Sequence, residues 1–331
     1  MKPTALISLT EREFAFFFPG SLRVELQELL PEAHLIEAEP GKHAEWCEAL
    51  HRIRPEILMT GWHTPVLPDR CPGLRYVCHI AGSVRRHVPR ALLERGVVVG
   101  NWGETVADTV AEAAFAMILA ALRRTQYFGD IMHRDRGWQW APSGALSLIE
   151  RRVGIHGFGA VVRHLLPMLK PFRCPVLVYA TGVPDSCFVE HAVQRADSLE
   201  QLFDWADVVV EAEALTPSNR GCVGEPLLRR LRRDGVFVNV ARGALVDEAA
   251  LARVAAERGL RLALDVYEAE PLAADSPLRG LTDAVLFPHV AGPTEDRAHL
   301  CGELALENLA RFIRGTPIIA PVTLTIYDRS T

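Results

Sequence analysis

Four polar side chains stand where apolar strands end. Arg242 follows Val236-Phe237-Val238-Asn239-Val240, Asp265 follows Leu262-Ala263-Leu264 with Glu270 just beyond it, and His289 follows Ala284-Val285-Leu286-Phe287. A strand that only fills a core needs none of them. A guanidinium, an imidazole and two carboxylates can bind an anion and move a proton, and in a parallel sheet the carboxyl ends of strands line one crevice. A second stretch, Val153-Gly154-Ile155-His156-Gly157-Phe158-Gly159-Ala160-Val161-Val162, reads as a strand, a tight turn and a helix start. Gly157 and Gly159 let the backbone approach a phosphate, and the helix opening at Ala160 and Val161 would turn its amino end to a pyrophosphate. The third glycine of G-x-G-x-x-G is replaced by Val162, so either the helix sits further off or the valine fills a gap.

The elements around these residues alternate. Ala5–Leu9, Leu35-Ile36, Glu56–Met59, Arg75–Ile80 and Val97–Val99 are short apolar runs with helical sequence between them, including a helix through Leu30 that Ser21 would cap. After the glycine turn come Val176–Tyr179, Asp207–Val210 and the three runs that end at Arg242, Asp265 and His289. This pattern predicts α/β architecture with parallel sheets covered on both faces by helices. The segment from Thr105 to Arg124 is an alanine-rich helix, suited to burial either in its own core or against another domain or subunit. Trp138 and Trp140 fall in a loop, Glu295 to Arg314 is helical again, and Pro317 to Thr331 forms a tail.

The chain has 331 residues, 49% of them hydrophobic, and a net charge of -5 with both signs interspersed, which gives no footprint for nucleic acid or an anionic membrane. The run from Val110 to Leu122 carries Glu112 and is too short to span a bilayer. Charged Glu11, Arg12 and Glu13 precede the phenylalanines at 14 and 16–18, so no secretory leader is expected and a cytoplasmic setting is. Seven cysteines with no C-x-x-C spacing argue against both a disulfide framework and a zinc site, and no metal is expected.

Several motifs in order, Gly154–Gly159, Leu215–Gly221, Asn239–Glu248, Leu264–Pro271 and Phe287–Val290, resemble the D-isomer-specific 2-hydroxyacid dehydrogenases. The resemblance runs from about Arg75 to the end. It implies two Rossmann-like doubly wound domains, one flavodoxin-like and one dinucleotide-binding, with a cleft between them. Residues 1–102 plus 297–331 would form a discontinuous substrate domain and 103–296 the dinucleotide-binding domain. It further implies hydride transfer between a nicotinamide cofactor and a 2-oxoacid such as glyoxylate or hydroxypyruvate, and a homodimer through the Thr105–Arg124 region. Arg242 would hold the substrate carboxylate and carbonyl by paired charge-assisted bonds. His289 would exchange a proton with the carbonyl oxygen, and Glu270 would favour the protonated imidazole. The loop carrying Gly82 and Ser83 would bind the carboxylate through backbone N–H groups. Cofactor contacts are implied for Gly157, Gly159, Ala160, Val161, Ala180, Thr181, Glu213, Asn219, Val240 and Asp265, the last accepting from the nicotinamide carboxamide.

Three departures from the family pattern stand out. Ala180 occupies the place of the acidic residue that bonds the ribose hydroxyls in NAD-dependent relatives, and no arginine follows to clamp a 2′-phosphate. NAD and NADP both stay open, with family habit favouring NAD(H). Glu211-Ala212-Glu213-Ala214 replaces a His and a Pro beside the cofactor, and Arg85-Arg86-His87 replaces Asp and Asn after the substrate loop. Arg85 would either face a second anionic group on the substrate or belong to a basic surface loop. A dinucleotide-binding regulator of the corepressor kind on the same fold is the competing reading, although such a role gives no reason to carry Arg242, Glu270 and His289 together.

Overall fold

The computed structural model describes residues 3–37 and 42–329. The chain forms two compact units, Met1–Val106 with Pro293–Thr331, and Ala107–Gly292. In chain order, the first unit begins with β1 (Ala5–Ser8), α1 (Glu11–Phe17), α2 (Ser21–Leu29), β2 (His34–Leu35), α3 (His43–Ile53), β3 (Ile57–Thr60), β4 (Tyr76–His79), α4 (Arg90–Glu94) and β5 (Val98–Gly100). Its five strands are all parallel, in the order β2-β1-β3-β4-β5, the flavodoxin-like arrangement whose direction of winding switches between β1 and β3.

The second unit contains α5 (Ala107–Arg123), α6 (Thr125–His133), β6 (Val153–His156), α7 (Ala160–Leu169), β7 (Val176–Tyr179), α8 (Asp185–Glu190), β8 (Gln194–Arg195), α9 (Leu199–Trp205), β9 (Val208–Glu211), α10 (Glu225–Arg230), β10 (Val236–Asn239), α11 (Glu248–Arg258), β11 (Arg261–Leu264) and β12 (Val285–Leu286). Its seven parallel strands run β12-β11-β10-β9-β6-β7-β8, so here the switch lies between β6 and β9. Alternate residues of the strands feed two separate cores. Val209, Phe237 and Leu262 pack with α9, α10 and α11, while Val208, Val210, Val236 and Val238 pack with α5 and α7. A sheet apolar on both faces needs helices on both, hence the near-continuous valine runs. The chain then returns to the first unit with α12 (His299–Ile313) and α13 (Leu324–Arg329).

Three expectations need adjustment, two elements went unread in the sequence, and α5 packs within its own unit. Helix α1 was not legible as a helix behind its phenylalanines, yet Thr10 and Glu13 close a capping box at its start. Ser21 is the first residue of α2 rather than its cap, which is Gly20. The helix near residue 295 begins only at His299, and the expected tail carries α13, with Ser330 and Thr331 outside the described residues. Strand β8 gave no sequence signal because its two residues are exposed and polar. Helix α5 spends its apolar face inside its own unit, where Ala111, Ala114, Met117, Ile118 and Ala121 are buried against α7 and the sheet.

Candidate active site

Arg242, Asp265, Glu270 and His289 all lie at the carboxyl edge of the second sheet. Arg242 follows β10 in a turn that the buried Asn239 fixes. The Asn239 Oδ1 accepts the Ala241 N–H at 3.0 Å and its Nδ2 donates to the Arg242 carbonyl at 3.2 Å. Gly243 must be glycine, because a Cβ there would fall 1.9 Å from the Tyr267 carbonyl carbon. Arg242 donates to the Ala241 carbonyl at 2.6 Å, and burial lowers the pKa of its guanidinium while the charge of Glu270 acts the other way.

His289 is held with a left-handed backbone, φ +56, by its N–H donating to the Asp265 carbonyl at 2.9 Å. The Asp265 carboxylate accepts from the Val290 and Ala291 N–H groups at 2.7 and 3.2 Å. Burial raises the pKa of that carboxyl, and these two donors oppose the shift. On its ring, His289 Nδ1 lies 2.6 Å from Glu270 Oε2, and the other Glu270 oxygen accepts the Tyr267 N–H at 3.0 Å. Tyr267 is anchored in turn, with its hydroxyl 2.9 Å from the Phe287 carbonyl. Glu270 therefore fixes the imidazole through Nδ1, which leaves Nε2 as the nitrogen able to reach a reacting oxygen.

The glycine turn sits at the switch point. Gly157 adopts φ +101, and a Cβ there would meet the Ala212 carbonyl oxygen at 2.7 Å. Gly159 precedes α7 with no side chain capping the helix, and a Cβ on it would meet nothing within 4 Å. With no side chain capping α7, its first N–H groups, from Ala160 and Val161, are left for an anion to accept. Val162 is fully buried in the core beneath, so it fills the gap left by the absent glycine. Ala180 is buried at the end of β7 and Thr181 is exposed beside it. Val240 is buried after β10, and Asn219 ties its own loop together by donating to the Ala214 carbonyl at 2.8 Å and accepting from the Thr216 N–H.

The sequence reading did not pair two residues of this unit. His156, one position before Gly157, and Glu211, at the end of β9, form a buried pair with Nδ1 2.7 Å from Oε2. The other Glu211 oxygen accepts the Glu213 N–H at 3.0 Å, while the Glu213 carboxylate accepts the Ala214 N–H at 2.9 Å. Burial disfavours the imidazolium, but the charges of Glu211 and Glu213 prevail and the His156 pKa is raised. A polar residue closing each of two apolar runs was a visible signal; their pairing across 55 residues was not.

In the first unit, Gly82 and Ser83 follow β4. Gly82 is required by Trp102, whose ring atoms would lie 2.7 Å from a Cβ at that position. Arg85 stands 5.6 Å over the Tyr327 ring, with Asp328 as an opposite charge nearby.

A glycine turn leading into an open helix end at the switch point of a β6–β9 crevice defines a dinucleotide-binding α/β protein, and the Arg, Glu and His beside it are the furniture of an oxidoreductase. The sequence model described as "D-isomer specific 2-hydroxyacid dehydrogenase, NAD binding domain" matches residues 115–291. A glyoxylate reductase of Korarchaeum cryptofilum is 32% identical over 252 residues, 75% of each chain. The human glyoxylate reductase/hydroxypyruvate reductase is 28% identical over 302 residues, 90% of this chain and 89% of that one. A crystal structure of a glyoxylate reductase from Paecilomyes thermophila superposes with a TM-score of 0.83 at 24% identity, covering 97% of this chain and 99% of that one, a likeness of fold. The chain belongs to the D-isomer-specific 2-hydroxyacid dehydrogenase family. It is an NAD(P)-dependent oxidoreductase acting on the CH–OH group of its donor, and the regulatory alternative is not favoured. The residues present fit the cofactor: the open Gly159, the positive φ of Gly157 and the uncapped α7 are what a pyrophosphate needs. No helix among the described residues is long and apolar enough to cross a membrane.

Proposed function

We propose that the chain reduces a 2-oxoacid to the D-2-hydroxyacid, with Arg242, Glu270 and His289 as its catalytic groups. The observation that carries this reading is the 2.6 Å contact of His289 Nδ1 with Glu270, beside a partly buried guanidinium at the same sheet edge. A bound nicotinamide supplies or accepts the hydride. The Arg242 guanidinium holds the carboxylate and polarises the carbonyl; in the first unit, the N–H groups of Gly82 and Ser83 are donors for a carboxylate. His289 delivers its Nε2 proton to the carbonyl oxygen as charge develops there and takes it back in oxidation, while Glu270 keeps the ring oriented. Gly157, Gly159, Ala160 and Val161 hold the pyrophosphate, Thr181 and Glu213 border the ribose, Val240 and Asn219 line the cofactor's path, and Asp265 receives the carboxamide. With neither an acid nor an arginine at residues 180–184, either dinucleotide is accommodated, and glyoxylate or hydroxypyruvate is the first substrate to offer.

The protein works as a cytoplasmic homodimer on this reading. The contact surface is the Thr105–Arg124 region, where Val110, Phe115 and Leu119 of α5 are only partly buried, with the exposed Met132, Trp138, Trp140 and Ile149 following it. Light scattering that returns a monomer removes the dimer.

The test follows nicotinamide absorbance with NADH and NADPH against glyoxylate, hydroxypyruvate and pyruvate, with His289→Ala as control. Turnover lost in the control supports the assignment. Dinucleotide binding without turnover of any 2-oxoacid overturns it.

A further inference from the structure

The segment that follows the Gly82–Ser83 loop is clasped by α13, more than 200 residues further along the chain. Past α12, Pro321 bridges Gly100 and the Val322 N–H donates to the Val99 carbonyl at 2.8 Å, so the backbone runs back along β5, the edge strand of the first sheet. The six residues of α13 cannot hold a helix by their own hydrogen bonds. What fixes them is the stretch 84–90. Val322 and Tyr327 share one core with Val84, Val88 and Leu92, and the Tyr327 hydroxyl donates to the Val88 carbonyl at 2.8 Å. Asp328 receives Arg90 on both oxygens, from Nε at 2.9 Å and Nη2 at 3.0 Å, and Arg90 also reaches Glu94. Arg85 lays its guanidinium 5.6 Å over the Tyr327 ring.

These contacts reach the loop within two residues. The Arg85 N–H donates to the Ser83 hydroxyl oxygen at 3.4 Å, and the Val84 carbonyl accepts the His87 and Val88 N–H groups at 3.0 and 2.8 Å. On the other flank, the Asn101 side chain donates to the Gly82 carbonyl at 2.5 Å. Gly82 has no side chain to pack, so the direction of the loop's N–H groups is set by what holds its flanks. An apolar plug would be enough to cover Val84 and Val88. A hydroxyl aimed at one carbonyl, a two-point ion pair at Arg90 and a ring under Arg85 fix an orientation as well.

We propose that Tyr327 and Asp328 are positioning residues for the substrate carboxylate: through Arg85, Val88 and Arg90 they hold the Gly82–Ser83 loop where its N–H groups meet the acid. This rests on the reading that the loop binds the substrate carboxylate. It also gives Arg85 a partner on α13 in place of a second anionic group on the substrate. A tilted N–H bonds a carboxylate less well in the ground state and the transition state alike, so loosening the clasp acts on KM rather than on kcat. The dinucleotide is held by the other unit, and its affinity does not depend on α13.

The experiment measures KM and kcat for the 2-oxoacid that turns over best, inhibition by oxamate at saturating cofactor, and NADH affinity by fluorescence titration. It compares the wild type with Tyr327→Ala, Tyr327→Phe, Asp328→Ala and Asp328→Glu. Ser83→Pro, which removes one of the loop's N–H donors, is the reference. Tyr327→Ala and Asp328→Ala are expected to raise KM and the oxamate constant about five- to twentyfold, with kcat and NADH affinity held within about twofold. Tyr327→Phe should raise both about threefold and Asp328→Glu should stay near the wild type, and these two carry the test should Tyr327→Ala not fold. If Ser83→Pro raises both constants and the α13 variants do not, or if those variants lose kcat, NADH affinity and substrate affinity together, the proposal falls and the reading of the loop stands. If Ser83→Pro changes neither constant, the reading of the loop falls and the proposal with it. Absence of His289-dependent turnover with every 2-oxoacid overturns the proposed function as well.

Discussion

His156 and Glu211 face each other across the switch point of the second sheet, Nδ1 to Oε2 at 2.7 Å, on strands whose register pairs the two residues directly. Both are almost fully buried, beside strands in which valine is the commonest residue. The pair ties β6, which leads into Gly157, to the backbone of Ala212 and Glu213, against which Gly157 is packed. It thereby sets the shape of the phosphate turn. His156→Ala, which leaves Glu211 as an unpaired buried charge, should cost about 3–5 kcal/mol in urea unfolding, whereas His156→Leu with Glu211→Leu should recover most of it. A double variant as unstable as the single one would show that the pair is not what holds the turn.

The same pair dictates a pH dependence. The folded-state pKa of His156 is raised by Glu211 and Glu213 against the effect of burial, above the roughly 6.5 of an unfolded histidine. A raised pKa contributes stability that is complete below pH of about 6.5 and is lost as pH climbs through the folded value. The other group near the pair's carboxylates, Cys222, is pushed up to about 12 by burial and by Glu211, and stays a thiol throughout. Tm should therefore fall as pH rises above about 6.5 in the wild type, and this part of the slope should vanish in the double leucine variant.

Gly157 and Gly159 should fail differently when changed. Gly157→Ala meets a backbone oxygen at 2.7 Å with φ at +101, and should lose both stability and dinucleotide binding. Gly159→Ala meets nothing and keeps a negative φ, so Tm should hold within about 2 °C while NADH affinity, read by fluorescence titration, drops at least about tenfold. Unchanged NADH affinity in Gly159→Ala would place the pyrophosphate elsewhere.

At the catalytic edge, His289→Ala should lower kcat by about 10²–10⁴ with little change in dinucleotide affinity. Glu270→Gln keeps a hydrogen-bonding group near Nδ1 but removes the charge, and its loss of kcat should be smaller than that of His289→Ala. Arg242→Lys gives up paired planar bonding to a carboxylate and should raise KM for the 2-oxoacid more than it lowers kcat. Steady-state kinetics against substrate separate the three.

The alternation of strand and helix, both parallel sheets and the order of the family's motifs were legible in the sequence, because the period of apolar residues and glycine turns act over a few positions. Arg242, Glu270 and His289 could be singled out for the same reason, as polar residues ending apolar strands. Burial in a sheet covered on both faces made the valine runs readable; exposed β8 and the short α1 carried no such pattern. What only the tertiary structure decided are relations across the chain. His156 meets Glu211 because β9 returns to lie beside β6, Val162 fills the missing-glycine gap because α7 packs on α5, and Trp62 is fixed by Glu13 from 49 residues away. Such contacts depend on strand order and on which faces are already occupied, and local sequence encodes neither.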